Sequence, residues 1–241
     1  MIFINNDSTD AAFHFSVEDF LMRFIKSEDP ILMLWQTESS VMLGNNQIIS
    51  AEIDIAFANK MGINIVRRSS GGGTIYTDPG TLLYTCIQPK SEEAKTHMDE
   101  TAKKIINALT KFDVTAERVG RNDILVDGKK ISGLAQYSTG SMICTHGSLL
   151  YDTDIDILSS VLIPNDDKLL PKGIASIRSR VTNIRPYMNI DFTVEEFKEM
   201  LKDELLKDVE YSTYQLSTDD LSMVNNIYNE KYGNESWNFR L

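Results

Sequence analysis

Cysteine, basic residues and long apolar runs are scarce in this sequence of 241 residues. The two cysteines, Cys86 and Cys144, are too few for a disulfide framework, and no Cys/His cluster has the spacing of a zinc site. Lys and Arg number 24 against 35 Asp and Glu, and the net charge of −11 argues against general nucleic-acid binding, which requires a basic surface. No stretch approaches the ~20 apolar residues that cross a membrane.

Signals for secretion and for two common nucleotide-binding folds are also missing. The segment Met1–Asp7 has no basic region followed by an apolar run, so we expect a cytoplasmic protein with reduced thiols. Neither GxGxxG nor GxxxxGK[ST] occurs in the chain. The length and the hydrophobic content of 42% suit one domain over residues 1–241 that buries a core without a disulfide or a metal.

Helical and strand-like patterns alternate irregularly, which favours an α+β fold with mixed or antiparallel sheets flanked by helices. Helices are predicted at 9–25, 50–61, 91–112, 193–205 and 218–231. Strands are predicted at 31–36, 41–44, 63–67, 74–76, 81–87, 115–119, 124–126, 129–137 and 141–151. Asp127-Gly128 predicts a type I′ turn, and Asp78-Pro79-Gly80 predicts a hairpin between the strands at 74–76 and 81–87.

Two helix starts carry capping signals. Asp7, Ser8 or Thr9 could cap the first predicted helix, and Thr193 with Glu196 forms a capping box before the fourth. The apolar face of the first helix holds Phe13, Val17, Phe20, Leu21 and Phe24.

Three successive glycines follow a predicted strand in the run Arg67-Arg68-Ser69-Ser70-Gly71-Gly72-Gly73-Thr74. Glycine lets a ligand approach the backbone closely, and exposed amides in such a loop can bind an anion. The arginine and serine side chains add donors for a phosphate or a carboxylate. On this run alone, a flexible turn with a solvated arginine pair is an equally good interpretation.

Two adjacent lysines, Lys129 and Lys130, open a predicted strand, so their side chains point to opposite faces. The lysine that faces inward needs an anion or a carbonyl oxygen as a partner, because burying an unpaired ammonium is costly. By spacing alone, a solvated lysine pair is favoured. Asn122-Asp123 could be turn residues or could bind Mg²⁺ and a ligand amide.

Positive charge is concentrated between residues 168 and 185, which include no acid. The five basic residues are Lys168, Lys172, Arg178, Arg180 and Arg185, and they contribute +5 to a chain whose net charge is −11. A cationic loop that contains Gly and Ser suggests a polyphosphate or an acidic protein as partner, with a solvated loop as the alternative.

His146 lies two residues after Cys144. A Cys/His nucleophile pair is conceivable, but residues 144 and 146 share one face of a strand, which favours a hydrogen-bonded polar pair beside the core. His14 and His97 lie in predicted helices without metal-ligand spacing, and Cys86 is predicted to be a small core residue.

Five motifs in order along the chain carry a family resemblance. They are RRSSGGGTIY at 67–76, GRNDI at 120–124, KISG at 130–133, HGSLL at 146–150 and SIRSRVTN at 176–183. Together with Ser236-Trp237-Asn238-Phe239 they resemble the lipoate–protein ligase family over nearly the whole chain. The resemblance implies the α+β catalytic domain shared with biotin–protein ligases and related to class II aminoacyl-tRNA synthetases.

The resemblance also implies a two-step reaction. Lipoate is activated by ATP to lipoyl-AMP with release of pyrophosphate, and the lipoyl group is then transferred to a lysine of an apo lipoyl domain. The implied cofactors are ATP and Mg²⁺, with lipoate as substrate and no tightly bound structural metal. The implied partners are the glycine-cleavage H protein and the acyltransferase subunits of 2-oxoacid dehydrogenase complexes.

Site residues follow from the same resemblance. Lys130 matches the catalytic lysine, which would hold the lipoyl carboxylate and the α-phosphate together without being covalently modified. Asp123 is the implied Mg²⁺ ligand, residues 168–185 would fold over the adenylate, and the strands near Trp35 and Val41 would line an apolar tunnel. The residues implied to bind ATP or lipoate are Arg68, Ser70, Gly71, Gly72, Gly73, Thr74, Ile75, Tyr76, Asn122, Asp123, Lys130, Ser132, Gly133, His146, Arg178 and Arg180.

The sequence departs from the family pattern in two places. The family often has His before the Asp that follows the glycines, whereas this chain has Tyr76-Thr77-Asp78, so any such role falls to Thr77. The usual enzyme also has a small C-terminal accessory domain after the region that ends here at Leu241. We therefore expect the catalytic large domain alone, as a truncated form, a natural single-domain enzyme or one part of a two-chain ligase that transfers a preformed adenylate.

Two alternatives remain. An octanoyl- or lipoyl-transferase of the same fold would use a cysteine thioester and no ATP. Its cysteine would lie at 164–167 or in the stretch before Asn122, and both positions lack cysteine here. A non-catalytic binder of lipoate or of a lipoyl domain is the least favoured.

Overall fold

A computed structural model describes residues 1–25, 27–90, 94–163 and 173–240. Within these ranges the chain forms two β-sheets flanked by helices, as the mixed pattern predicted. Residues 91–93, where the third helix was predicted to begin, and 164–172, with Lys168 and Lys172, lie outside the described residues.

The larger sheet has eight strands and is mixed. In spatial order these are β11 (Ser212–Tyr214), β1 (Ile2–Ile4), β2 (Ile31–Trp35), β6 (Thr81–Pro89), β10 (Met142–Leu150), β9 (Lys129–Thr139), β8 (Asp123–Val126) and β7 (Glu117–Val119). The first three are parallel, and every pairing from β2 to β7 is antiparallel. Between β8 and β9, Asp127 and Gly128 both have positive φ, at 49° and 72°, which confirms the predicted type I′ turn.

The smaller sheet consists of β4 (Asn64–Arg67), β3 (Ser40–Leu43) and β5 (Ile75–Thr77), with β3 in the middle. Because β5 and β6 belong to different sheets, the predicted hairpin around Asp78-Pro79-Gly80 is wrong. This turn connects the two sheets, and Gly80 lies so close to Asp152 that a Cβ on residue 80 would be 2.1 Å from the Asp152 carbonyl oxygen. A turn signal identifies a reversal but not which sheet the following strand joins.

Helices cover both faces of the larger sheet and pack on the smaller one. They are α1 (Ala11–Phe24), α2 (Ile49–Glu52), α3 (Ile55–Met61), α4 (Ala94–Thr110), α5 (Ile155–Val161), α6 (Gly173–Arg180), α7 (Val194–Leu206), α8 (Thr218–Ile227) and α9 (Glu235–Asn238). A 3₁₀ turn covers Arg185–Tyr187, and a π-helical turn covers Tyr228–Tyr232. Over the described part of the chain, every helix is too short or too polar to cross a lipid bilayer.

Helix capping explains where two of these helices begin. Asp10, rather than Asp7, Ser8 or Thr9, caps α1 by accepting hydrogen bonds from two amides of its first turn. The predicted helix at 50–61 is instead two helices, because Asp54 is extended and caps α3. The capping box of Thr193 with Glu196 is confirmed at the start of α7.

Three apolar clusters form the core. Helices α4 and α7 pack on one face of the larger sheet, where the rings of Phe197 and Tyr151 stack at 4.3 Å. Helix α1 and the C-terminal helices pack on the other face, around Phe15 and Tyr232. The third cluster joins the smaller sheet to α3 and α5.

The predicted loop in the basic segment is wrong for residues 173–185, the part that the structure describes. Most of this part is the helix α6 and a 3₁₀ turn, not the predicted Gly/Ser loop. Residues 168–172 of the basic segment lie outside the described ranges.

Candidate active site

Two adjoining cavities lie between the sheets, and both are lined by Gly73, Thr74 and Lys130. The narrower cavity, of about 90 Å³, is mainly apolar and includes Trp35 and Leu83 in its walls. The wider cavity, of about 590 Å³, has both apolar and charged residues in its walls. Its charged lining residues are Glu52, Asp123, Lys130 and Arg180. A mainly apolar compartment therefore opens, at the glycine run and Lys130, into a wider one that carries charged groups.

Lys130 reaches this junction because β9 contains a β-bulge. Leu125 of β8 pairs with Lys130, whereas the preceding residue Ile124 pairs with Ser132, so Ile131 is an extra residue. In a regular strand, residues three apart point to opposite faces. Here the Lys130 side chain lies over Gly133, where an added Cβ would be 3.0 Å from Nζ. Lys129 is exposed, whereas Lys130 lines both cavities, so the two lysines are not the solvated pair that spacing alone favoured.

Asp123 and Asn122 adjoin the lysine. Asp123 Oδ1 lies 2.8 Å from Lys130 Nζ, and both side chains are about a third exposed, at 39% and 35%. Asn122 lines the narrow cavity, and its Nδ2 donates to the carbonyl of Leu134 at 3.2 Å. The inward ammonium thus has the anionic partner that its placement requires.

The glycine loop, residues 67–74, is ordered by Arg68. The Arg68 guanidinium is buried and donates to the carbonyls of Met42, Gly71 and Gly73 at 2.8, 2.9 and 2.7 Å. Burial lowers the pKa of Arg68 to about 10, so the group remains charged at neutral pH. The interpretation as a solvated arginine pair is therefore wrong: Arg67 and Arg68 are only 1% and 5% exposed.

A buried hydrogen-bond chain connects α1 to this loop through His146. His146 Nδ1 lies 3.0 Å from Glu18 Oε1, and its Nε2 lies 2.7 Å from Ser70 Oγ. The imidazole thus bridges the Glu18 carboxyl on its Nδ1 side and the Ser70 hydroxyl on its Nε2 side. Ser70 Oγ in turn accepts from Arg68 Nε at 2.9 Å. His146 also lines the narrow cavity, so it is both a hydrogen-bonded polar residue and part of the site.

Most of the predicted binding residues are brought together here. Those that line one or both cavities are Arg68, Gly72, Gly73, Thr74, Ile75, Asn122, Asp123, Lys130, Gly133, His146 and Arg180. Tyr76 and Ser132 are buried beside the cavities, where they contact Ser39 and Tyr84 through hydroxyl pairs at 3.3 Å.

Both strands that were predicted to line an apolar tunnel contribute a side chain to the narrow cavity. Trp35 lines the narrow cavity, but Val41 packs into the third core cluster, and the next residue, Met42, lines the cavity in its place. Thr77, which stands where the family often has His, is fully buried and hydrogen-bonded to Thr37 at 2.8 Å.

The basic segment contributes less free charge than its sequence suggested. Arg178 is exposed and paired with Asp156, and Arg185 is paired with Asp152 and Asp191. These acids come from outside residues 168–185, which is why the segment alone seemed unpaired. Arg180 faces the wider cavity, whereas Arg178 does not line either cavity.

Neither thiol has the environment of a nucleophile. Cys86 and Cys144 are buried, and burial raises the pKa of both thiols. A reactive cysteine requires the opposite shift. Among the described residues, Glu18, Cys144 and His146 form one group that could hold a metal, with ligand atoms within 4.8 Å. Each already has a protein hydrogen-bond partner, so the group is satisfied without an ion.

Sequence reasoning missed the buried acids of α1. Glu18 and Asp19 are both 1% exposed, in a helix whose apolar stripe drew attention to Phe24, which is 48% exposed. The signal that could have found them is the adjacent acidic pair inside an otherwise apolar helix. Such a pair requires partners from elsewhere in the fold.

The family model and a curated relative that match this sequence are both described as lipoyl or lipoate protein ligases. The sequence model for the lipoyl protein ligase A/B catalytic domain matches residues 10–206. The chain is 35% identical over 243 residues to lipoate-protein ligase LplJ of Bacillus subtilis, covering 99% of this chain and 73% of that protein.

Two solved structures have the same fold as this chain. A bi-partite lipoate protein ligase from Thermoplasma acidophilum, described with its E2 lipoyl domain, has a TM-score of 0.88 at 24% identity, over 98% of this chain and 95% of that one. A lipoate-protein ligase A bound with ATP has a TM-score of 0.85 at 23% identity, over 98% and 97%.

Proposed function

The chain belongs to the lipoyl protein ligase A/B catalytic domain family and is a ligase of the lipoate–protein ligase type, and from this premise we propose its chemistry. It activates lipoate with ATP to form lipoyl-AMP and pyrophosphate. It then transfers the lipoyl group to a lysine of an apo lipoyl domain, in a glycine-cleavage H protein or a 2-oxoacid dehydrogenase acyltransferase subunit.

The observation that carries this proposal is the junction of the two cavities at Lys130. Lipoate has an apolar chain that ends in a carboxylate, and a narrow apolar cavity opening at an ammonium complements both parts. The wider cavity offers space and charged walls for a nucleotide. A neighbour of the same fold is bound with ATP, which supports nucleotide binding by this chain.

In the first step, a lipoate carboxylate oxygen attacks the α-phosphorus of ATP, and pyrophosphate leaves with the electron pair of the broken P–O bond. The Lys130 ammonium brings the two anionic groups together and stabilises the charge that develops on the phosphoryl oxygens. One such donor typically contributes ~3–4 kcal/mol to the transition state. In this proposal the amides of Gly73 and Thr74 and the side chain of Arg180, all at the wall of the wider cavity, bind phosphate oxygens.

Asp123 is suited to hold Mg²⁺ with the phosphates. Its carboxylate is partly exposed at the wall of the wider cavity, and Mg²⁺ in nucleotide sites usually takes one or two carboxylates together with phosphates and water. When bound there, the ion would neutralise phosphate charge.

In the second step, the neutral amine of the acceptor lysine attacks the acyl carbonyl carbon of lipoyl-AMP. The C–O bond to the phosphate breaks, AMP leaves with its electron pair, and the amine loses a proton as the amide forms. The chain supplies no covalent intermediate in this scheme.

The thioester alternative conflicts with the two thiols, since both are buried and their pKa values are raised. The transfer-only alternative is supported by the neighbour described as a bi-partite ligase, since it requires a ligase made of two chains. A non-catalytic binder of lipoate would use the same ammonium to hold the carboxylate, so turnover rather than binding separates it from the ligase.

The test measures pyrophosphate release from ATP by the purified chain, with and without lipoate, in parallel with a Lys130→Met variant. Lipoate-dependent release that is lost in the variant supports adenylation. Lipoylation of a carrier only from synthetic lipoyl-AMP identifies the transfer-only enzyme, and activity with an acyl thioester but not with ATP contradicts the proposal.

A further inference from the structure

The mechanism above leaves unused a set of side chains that converges on the back of the glycine loop. They belong to residues 228–240, which we call the C-terminal strap. The strap contains the π-helical turn Tyr228–Tyr232 and the helix α9.

The strap completes the free edge of β4, the edge strand that leads into the loop. The Arg67 amide donates to Asn238 Oδ1 at 2.8 Å, and Trp237 Nε1 donates to the Arg67 carbonyl at 2.8 Å. The buried Arg67 guanidinium donates to the carbonyls of Asn238 and Arg240, each at 3.2 Å. Side chains of the strap thus take the place of a neighbouring strand.

The second anchor is Lys231. Its Nζ lies 2.7 Å from Ser69 Oγ, 3.0 Å from Asp19 Oδ2 and 3.1 Å from Tyr232 Oη, so the three ammonium protons have three acceptors. The rings of Tyr232 and Trp237 lie 4.5 and 4.6 Å from the same atom. Such an arrangement gains from cation–π attraction as well as from the ion pair.

Two adjacent residues of the π-helical turn reach one serine. Tyr232 Oη lies 2.7 Å from Ser69 Oγ, and the neighbouring Lys231 bonds to the same oxygen. Neighbouring residues of a regular helix point in different directions, and π-helical turns are frequent at functional sites.

We propose that Lys231 is a positioning residue, which holds Ser69 and through it fixes the glycine-loop tip that binds substrate. Ser69 is held by the strap, Ser70 by His146, and the carbonyls of Gly71 and Gly73 by Arg68. The tip, Gly73 and Thr74, lines both cavities. A displacement of Ser69 at the base of the loop therefore changes the binding of both substrates. The inference rests on the proposed function for its kinetic readout.

The test is Lys231→Met, which keeps the apolar stem against the two rings and removes the ammonium. We expect the KM for ATP to rise by ~10-fold, as for the loss of one charge-assisted hydrogen bond, with kcat changed by less than ~3-fold. Lys231→Arg should recover part of the loss. Lys207→Met is the matched control, because Lys207 is 58% exposed and pairs only at the surface with Glu204.

Two further measurements separate positioning from stability. If Lys231 acts through Ser69, the double variant Lys231→Met/Ser69→Ala should be no worse in KM than the more severe single variant. Urea unfolding of each variant reports stability, and a lowered midpoint with an unchanged KM overturns the inference, as does a KM within ~2-fold of wild type.

The calorimetric dissociation constant of ATP distinguishes a failure of this inference from a failure of the proposed function. If the wild-type chain binds ATP but does not turn over lipoate, the proposed function fails, while weaker ATP binding by Lys231→Met still supports the positioning role. Equal ATP binding by the wild type and the variant overturns the role.

Discussion

Replacement of Gly133 by alanine tests whether the proposed catalytic lysine depends on its close fit against β9. A Cβ on residue 133 would lie 3.0 Å from Nζ and 3.1 Å from Cε of Lys130, whereas ordinary contacts begin at 3.4 Å. The Lys130 side chain must then move outward by about 0.4 Å. This shift takes the ammonium away from the position in which it lies 2.8 Å from Asp123 Oδ1.

A misplacement of ~1 Å in a reacting group costs ~100-fold in rate, so a shift of a few tenths of an ångström should lower kcat by roughly 5- to 10-fold. Gly133 has no positive φ, so alanine brings no backbone strain. We therefore expect the urea midpoint to stay near that of wild type. The assay is the initial rate of lipoate-dependent pyrophosphate release at saturating ATP.

The control repeats the substitution in the Lys130→Met background, where no ammonium remains to be displaced. The double variant should then turn over at the rate of Lys130→Met alone. The same fold loss in both backgrounds, or a wild-type kcat in Gly133→Ala, would refute the reasoning.

Three other expectations concern catalysis, thiol chemistry and pH. Lys130→Met should lower kcat by ~10²–10³-fold with little change in the urea midpoint, because its ion pair is a third exposed. Cys144→Ser should keep ATP-dependent turnover, and loss of turnover without loss of fold would favour the thioester alternative. Burial lowers the pKa of His14 from 6.5 to about 4. The unfolded chain therefore binds this proton first, and the free energy of unfolding should fall by about 3 kcal/mol between pH 7 and pH 4. His14→Gln should reduce the fall in the free energy of unfolding between pH 7 and pH 4. An equally steep fall in the variant would contradict the role of His14.

The inward lysine illustrates what the sequence could and could not predict. Strand alternation raised the possibility that one of Lys129 and Lys130 faces inward, although spacing alone favoured a solvated pair, and only the resemblance selected Lys130. The bulge at Ile131 that aims the side chain over Gly133 arises from the pairing of β8 with β9. Such a one-residue shift depends on tertiary register, which local periodicity does not encode.

Buried charge was harder to predict, because its partners are distant in the chain. Arg67 is held by residues about 170 positions away, and Glu18 is paired with His146 across 128 positions. A short window shows the charge but not its partner, so a buried arginine and a solvated one look the same. For the same reason, the acids that neutralise Arg178 and Arg185 could not be assigned from residues 168–185 alone.

The account is tested most directly by mass spectrometry of an apo lipoyl domain incubated with this chain, lipoate, ATP and Mg²⁺. It predicts that the carrier gains one lipoyl group on its acceptor lysine, that omission of ATP abolishes the gain, and that a carrier with arginine at that position is unmodified. An unmodified carrier, with free lipoate as well as with synthetic lipoyl-AMP, would contradict it.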